Sequence, residues 1–221
     1  MSVTEDRRFW GKGGIYHVLL ASLFVLIALQ PYAAVAGGLL VRLGLAGLLL
    51  ASIAAVASRR RLLIIGLVLA VPAVGLLFVP GGVPTVAGGF LAIATLLFIC
   101  FVILRRIFRH PVVTSATVSA SLVVYLALGV VWSQAYRLVE HFYPGSFTGL
   151  SGTGAVEVQR DLFYYSYVTL ATLGYGDINP VGAEARSLAI TEALVGQLYL
   201  VVLVASLVGM HLSQRQGRTD K

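Results

Sequence analysis

Six long apolar stretches, 15–29, 39–57, 62–79, 86–104, 117–138 and 188–212, are set apart by basic clusters and Pro-Gly punctuation. Crossing the hydrocarbon core of a bilayer takes about 20 mostly apolar residues in a helix. The pattern therefore predicts an all-α membrane protein with six spanning helices. Gln30-Pro31 ends the first stretch, Arg59 to Arg61 follow the second, and Pro80-Gly81-Gly82-Val83-Pro84 separates the third from the fourth. The run Arg105-Arg106-Ile107-Phe108-Arg109-His110-Pro111 closes the fourth, and Pro72 predicts a kink in the third. Between the fifth and sixth stretches lies a Gly- and Ser-rich segment, 144–154, followed by an apolar aromatic run, 162–171. That run makes about three helical turns, too few to cross, with Asp161 placed to cap it. It predicts a helix that dips into the membrane and stops at Thr172-Leu173-Gly174-Tyr175-Gly176-Asp177.

Composition agrees. Hydrophobic residues are 58% of the chain and charged ones 11%, with a mean hydropathy of +0.92, against about 45–50% and 25% in soluble domains. A soluble enzyme is excluded. The net charge of +7 is a topology signal. With both termini in the cytoplasm, twelve of the sixteen basic residues fall on that side, leaving Arg42, Arg137, Arg160 and Arg186 outside with most of the acidic residues. No basic segment lies in a soluble domain, so nucleic-acid binding is not expected. An inner cell membrane is the expected location, and Arg42 is read as snorkelling to the outer headgroups. Cys100 stands alone, and His17, His110, His141 and His211 lack ligand spacing, so no metal site is expected. Cleavage of residues 1–36 after Ala34-Val35-Ala36 stays open, although Glu5, Asp6 and Pro31 favour an uncleaved helix.

Glycines at 174 and 176 permit backbone conformations closed to other residues, so successive carbonyls can face one axis. Irregular backbone at membrane depth is tolerated only where it lines a polar pathway. The carbonyls must then face ions or water. The residues Thr169-Leu170-Ala171-Thr172-Leu173-Gly174-Tyr175-Gly176-Asp177 resemble the potassium-channel signature T-x-x-T-x-G-Y-G-D. The resemblance is to prokaryotic six-helix potassium channels of the tetrameric pore-loop superfamily and is specific over 114–212. It implies a selectivity filter binding K+ through Thr172, Leu173, Gly174 and Tyr175 and reaching Gly176. It also implies a homotetramer, since one chain supplies one wall, and no cofactor beyond the permeant ion. Filter support falls to Asp177, Thr169, Tyr164, Tyr165 and Glu192, and a gating hinge to Gly196, twenty residues after Gly176.

Several of these positions carry a second reading. Tyr164 and Tyr165 form a cuff around Tyr175 or join an interfacial belt with Trp132, Tyr136 and Tyr143. Gly196 is a hinge or a point of close packing. Glu192, an ionisable group inside a membrane, hydrogen-bonds Thr169, Ser166 or a neighbouring tyrosine, or is a protonated structural carboxyl. Val168 stands where some potassium channels carry a carboxylate, so Asp177 is expected to lack that partner. The resemblance divides the chain into a cytoplasmic N-terminus (1–14), a four-helix domain (15–104), a cytoplasmic linker (105–116), a pore domain (117–212) and a cytoplasmic tail (213–221) too short for a tethered ligand sensor. The first four helices match in topology only. Residues 86–104 carry no charge, so voltage, worth about 2.3 kcal/mol per charge per 100 mV, has nothing there to act on. Arg105, Arg106 and Arg109 suggest contact with anionic lipid. A weakly selective cation channel is the alternative within channels. Gly174-Tyr175-Gly176-Asp177 also fits G-x-G-D intramembrane aspartyl proteases, but these need a second intramembrane aspartate, and Asp6, Asp161 and Asp220 are poorly placed.

Overall fold

A computed structural model describes residues 14–32, 38–56, 60–79, 82–109 and 113–219. The helices are α1 (Gly14–Leu29, extended by a 3-10 turn at Gln30–Tyr32), α2 (Leu39–Val56), α3 (Arg60–Leu77), α4 (Gly82–Arg109), α5 (Ser115–Phe142), α6 (Ala155–Leu170) and α7 (Ala183–Thr219). Two short strands, β1 (Phe147–Thr148) and β2 (Asn179–Pro180), pair antiparallel with Phe147 opposite Pro180. Among the described residues five helices are long and apolar enough to cross a membrane: α1 with its 3-10 turn, α3, α4, α5 and α7 as far as Met210. α2 is an apolar helix of 18 residues, Leu39–Val56, with Arg42 its one charged residue.

Helix ends depart from the predicted ones for local reasons. Pro84 sits in the first turn of α4, where its missing N–H costs nothing, so the helix begins at Gly82 instead of after the Pro-Gly run. At its other end α4 continues through Arg105 and Arg106 to Arg109, where basic side chains favour the negative pole of the helix. The linker is correspondingly shorter than 105–116. Thr114 caps α5, its hydroxyl accepting from Thr117 N at 3.2 Å. α3 runs unbroken through Pro72, and α7 continues to Thr219, so most of the predicted tail is helical. The 1–13 segment, Ala34 to Gly37, His110 and Pro111 lie outside the described residues.

The core is built where α1 and α4 pack against α5, around Leu19, Leu23, Leu96, Ile103, Ile107 and Val124. Cys100 is buried there. At one end of this packing Arg106 donates to the Tyr16 hydroxyl at 2.6 Å, and Ser119 Oγ lies 2.7 Å from His17 Nδ1. α6 is held between α5 and α7. Gly129 of α5 lets it approach, because a Cβ there would lie 2.7 Å from the Tyr167 ring. α7 by contrast leaves Ile190, Leu194, Leu198, Val201 and Val204 uncovered.

Candidate functional site

α6 begins at Ala155 with Gly154 as its N-cap, earlier than the apolar run suggested. Asp161 is therefore not a cap. It lies inside the helix and is buried, accepting from Ser151 N (2.6 Å) and Ser151 Oγ (2.7 Å) and pairing with Arg160 at 3.0 Å. The carboxylate ties the Gly-rich loop to the helix. α6 ends at Leu170, Thr172 N bonding back to Thr169 O and Leu173 N to Val168 O, both at 2.9 Å.

From there the backbone alternates. Thr172 has φ +57°, Gly174 +59° and Gly176 +77°, whereas Leu173 and Tyr175 stay at negative φ. A left-handed residue at every second position makes a ribbon whose carbonyls turn to a common side, which ordinary strand geometry, with its alternating carbonyls, cannot do. Glycine takes this conformation freely, but for a β-branched threonine it is strained by about 1–2 kcal/mol. Among the described residues nothing donates to the carbonyls of Thr172, Leu173, Gly174 or Tyr175, whereas Gly176 O accepts from Asn179 Nδ2 at 2.6 Å. The ribbon 171–177 is exposed throughout. Four unpaired carbonyls followed by one engaged carbonyl set its useful length.

Supports converge on this ribbon from three sides. At its C-terminal end β1 and β2 clamp the loops, and a Cβ on Gly149 (φ +85°) would lie 1.9 Å from Asp177 O. The Asp177 carboxylate bonds the Tyr164 phenol and holds its pKa above the ordinary value. Asp177 thus has a tyrosine partner where a carboxylate at Val168 was missing, and Val168 itself is buried. Behind the ribbon, buried Tyr165 packs edge-on against Tyr136 and Phe147 at 5.1 and 5.4 Å and bonds Thr169. The two tyrosines of the expected cuff therefore separate, Tyr165 inward and Tyr164 exposed toward Asp177. Tyr175 is also exposed.

Glu192 of α7 is completely buried. Tyr136 donates to its Oε2, and Ser166 Oγ lies 2.6 Å from its Oε1 and 2.8 Å from Gly129 O. Of the expected partners, Ser166 and a tyrosine are met and Thr169 is not. One turn on, a Cβ at Gly196 would lie 2.9 Å from both Leu170 O and Leu170 Cδ1. The glycine thus sits against the end of α6 at the foot of the ribbon. Next to it Gln197 Nε2 reaches Thr172 Oγ1 at 3.3 Å, and Tyr125 donates to Leu170 O at 3.1 Å. Gln197 was legible as a lone amide in an apolar run. Tyr136 enters from sequence only through the alternative of an interfacial belt, and nothing distinguishes Gly149 among the glycines of 144–154.

The geometry is matched by sequence similarity. Residues 112–212 match the family model described as an ion channel. That is a family of channels, not of enzymes, and the two aspartates near the ribbon are engaged elsewhere, Asp177 with Tyr164 and Asp161 with Ser151 and Arg160. The chain is 34% identical over 95 residues to two pore potassium channel c of Oryza sativa subsp. japonica, which covers 43% of this chain and 19% of that protein. It is 38% identical over 88 residues to inward rectifier potassium channel Kirbac3.1 of Paramagnetospirillum magnetotacticum, covering 38% of this chain and 25% of the relative. It is 31% identical over 117 residues to voltage-gated potassium channel Kch of Escherichia coli (strain K12), covering 53% and 25%. The chain thus spans a quarter or less of these relatives' lengths. No solved structure matches. With its apolar helices, the chain is a membrane protein with a segment, 112–212, that matches the ion-channel family.

Proposed function

We propose that four copies of this chain form a potassium-selective channel in the inner cell membrane, with six spanning helices each and both termini in the cytoplasm. The observation that carries the reading is the ribbon: left-handed backbone at 172, 174 and 176 and four carbonyls without a donor. Enclosed by neighbouring copies these exposed carbonyls would lose water, carbonyls buried without partners are costly, and a ring of them around a dehydrated cation is the arrangement that satisfies them. K+ sites fall between the oxygens of Thr172, Leu173, Gly174 and Tyr175, and Gly176, whose carbonyl is engaged, closes the outer end. α6 ends at the inner end of the ribbon, so its negative pole favours a cation in the cavity below. The uncovered apolar face of α7 and exposed Tyr175 are surfaces that neighbouring copies would cover.

In this reading Glu192, Ser166 and Tyr136 brace α6 from behind, and Gly196 serves close packing against Leu170 in place of a hinge. α4 carries no charge before Arg105, so the first four helices are not a voltage sensor. Arg106 is engaged with Tyr16, which narrows the proposed cytoplasmic lipid contact to Arg105 and Arg109. The test is flux. Purified chain in potassium-loaded vesicles diluted into sodium buffer should drive proton uptake once a proton ionophore is added, and Gly174→Ala should abolish it. Equal flux with Gly174→Ala would defeat the proposal.

A further inference from the structure

Away from the ribbon, a cavity of about 120 Å³ opens where the four-helix domain meets the first turn of α6. Its polar lining comes from five elements: Gln30 after α1, Arg42 of α2, Gln134 and Arg137 of α5 and Gln159 of α6, with Thr85 of α4 at the edge. Gln134 is 1% exposed and Gln30 4%. The amide nitrogens of Gln30, Gln134 and Gln159, the Gln30 amide oxygen and Nε of Arg137 are all buried without a hydrogen-bond partner. Among the described residues Arg137 makes one polar contact, at the limit, 3.5 Å from Nη2 to Thr85 O.

Three amide donors and the Arg137 guanidinium thus converge on one space beside Arg42, against one orphaned acceptor, the Gln30 amide oxygen, and no carboxylate is among the described lining residues. Glu157, on the first turn of α6, turns back onto Gly152 and Gly154. Glu140 and Arg137 both line the neighbouring pocket over 144–153, where Glu140 Oε1 accepts from Gly145 N, its Oε2 is buried without a partner, and among the described residues no ion pair joins the two. The first turn of α6 supplies a further electropositive wall, because Gly154 offers no side-chain cap. Buried donors and cations without acceptors call for an anion with several oxygens.

The fold makes room for such a group deliberately placed between domains. Gly89 lets Arg137 lie flat on α4, since a Cβ there would be 2.9 Å from Nη2, and Gly38 at φ +76° brings α2 against Val156 of α6. Leu76, Leu77 and Val79 complete the lining with apolar surface. We infer that this cavity binds a phosphate oxyanion, presented by the headgroup of an anionic phospholipid whose acyl chains run down the apolar side. Placement in the outer leaflet rests on the orientation proposed above; the opposite orientation would move the lipid to the other leaflet and leave the binding itself intact. Because the site touches α6, occupancy would couple the lipid to the helix that carries the ribbon.

The test uses the full chain, purified, delipidated and titrated under native mass spectrometry with phosphatidylglycerol, phosphatidylcholine and inorganic phosphate in separate arms. Phosphatidylglycerol should be retained at one per chain in preference to phosphatidylcholine. Arg42→Gln, at a half-buried position, should weaken it at least tenfold with unchanged elution volume, whereas Arg105→Gln with Arg109→Gln should leave this site intact. Arg137→Gln should act like Arg42→Gln; if it fails to fold, Arg42→Gln decides alone. Arginine-dependent binding of inorganic phosphate without phosphatidylglycerol would support the oxyanion site and overturn its lipid source. Retention of phosphatidylglycerol undiminished in Arg42→Gln, or no binding in any arm, would overturn the inference and leave a cavity filled by water.

Discussion

Replacing Glu192 tests how α7 braces α6. The side chain is fully buried and its partners are hydroxyls, one donated by Tyr136 and one shared with Ser166. Ser166 has one proton but lies within bonding distance of two oxygens, Gly129 O at 2.8 Å and Glu192 Oε1 at 2.6 Å. If Ser166 donates to Gly129 O, its contact with Glu192 is complete only when the carboxyl carries a proton and donates in return. A neutral acid also avoids burying an unpaired charge, which is far costlier. Glu192→Gln then reproduces the bonds, its amide donating to Ser166 and accepting from Tyr136, and stability should change by less than about 1 kcal/mol. Glu192→Ala orphans two buried hydroxyls at about 1–3 kcal/mol each and opens a cavity besides. The assay is thermal dissociation of the purified assembly, paired with infrared detection of a protonated carboxyl band that Glu192→Gln removes. Equal loss of stability in the two variants, or an ionised carboxylate band in its place, would refute the proton count.

Other consequences are as specific. Gly149→Ala places a Cβ 1.9 Å from Asp177 O at φ +85°, so the outer clamp should fail by more than the left-handed penalty of about 1–2 kcal/mol, read as a lowered dissociation temperature. Gly196→Ala gains about 1 kcal/mol of helix propensity but overpacks Leu170 at about 1–3 kcal/mol, so flux should fall without a gain in stability; increased stability with normal flux would contradict the close packing. Gln197→Leu removes the donor to Thr172 Oγ1 and should lower potassium flux while Gln197→Asn partly preserves it. The bond to Asp177 raises the Tyr164 pKa above 10.0, so its contribution to stability is complete below pH 10 and lost as pH climbs through the raised value. Asp177→Asn should shift that alkaline loss toward pH 10, seen as a difference between the two pH–stability profiles.

The ribbon was legible because its backbone is written in residue type: Gly174 and Gly176 take the left-handed positions that other side chains resist. The apolar helices were legible from apolar length, α2 at Leu39–Val56 included. Glu192 could be placed on the right face by helix arithmetic, but Tyr136, fifty-six residues earlier, could not be named because helix pairing is not local. Asp161 was misjudged because Glu157, Gln159 and Arg160 are polar members of α6 and hid its first two turns from an apolar-run reading. The Asp177 partner was sought by charge at Val168 and found as the Tyr164 phenol. The cavity of glutamines and arginines was invisible in sequence, since its lining comes from residues more than a hundred positions apart.

Reversal potentials of the purified chain in planar bilayers test the ribbon of carbonyls as a potassium-selective pathway. With potassium at a tenfold gradient and sodium making up the difference, current should reverse near the potassium equilibrium potential, about 59 mV for a monovalent ion. Reversal near zero, with sodium carrying current as readily as potassium, would contradict the account.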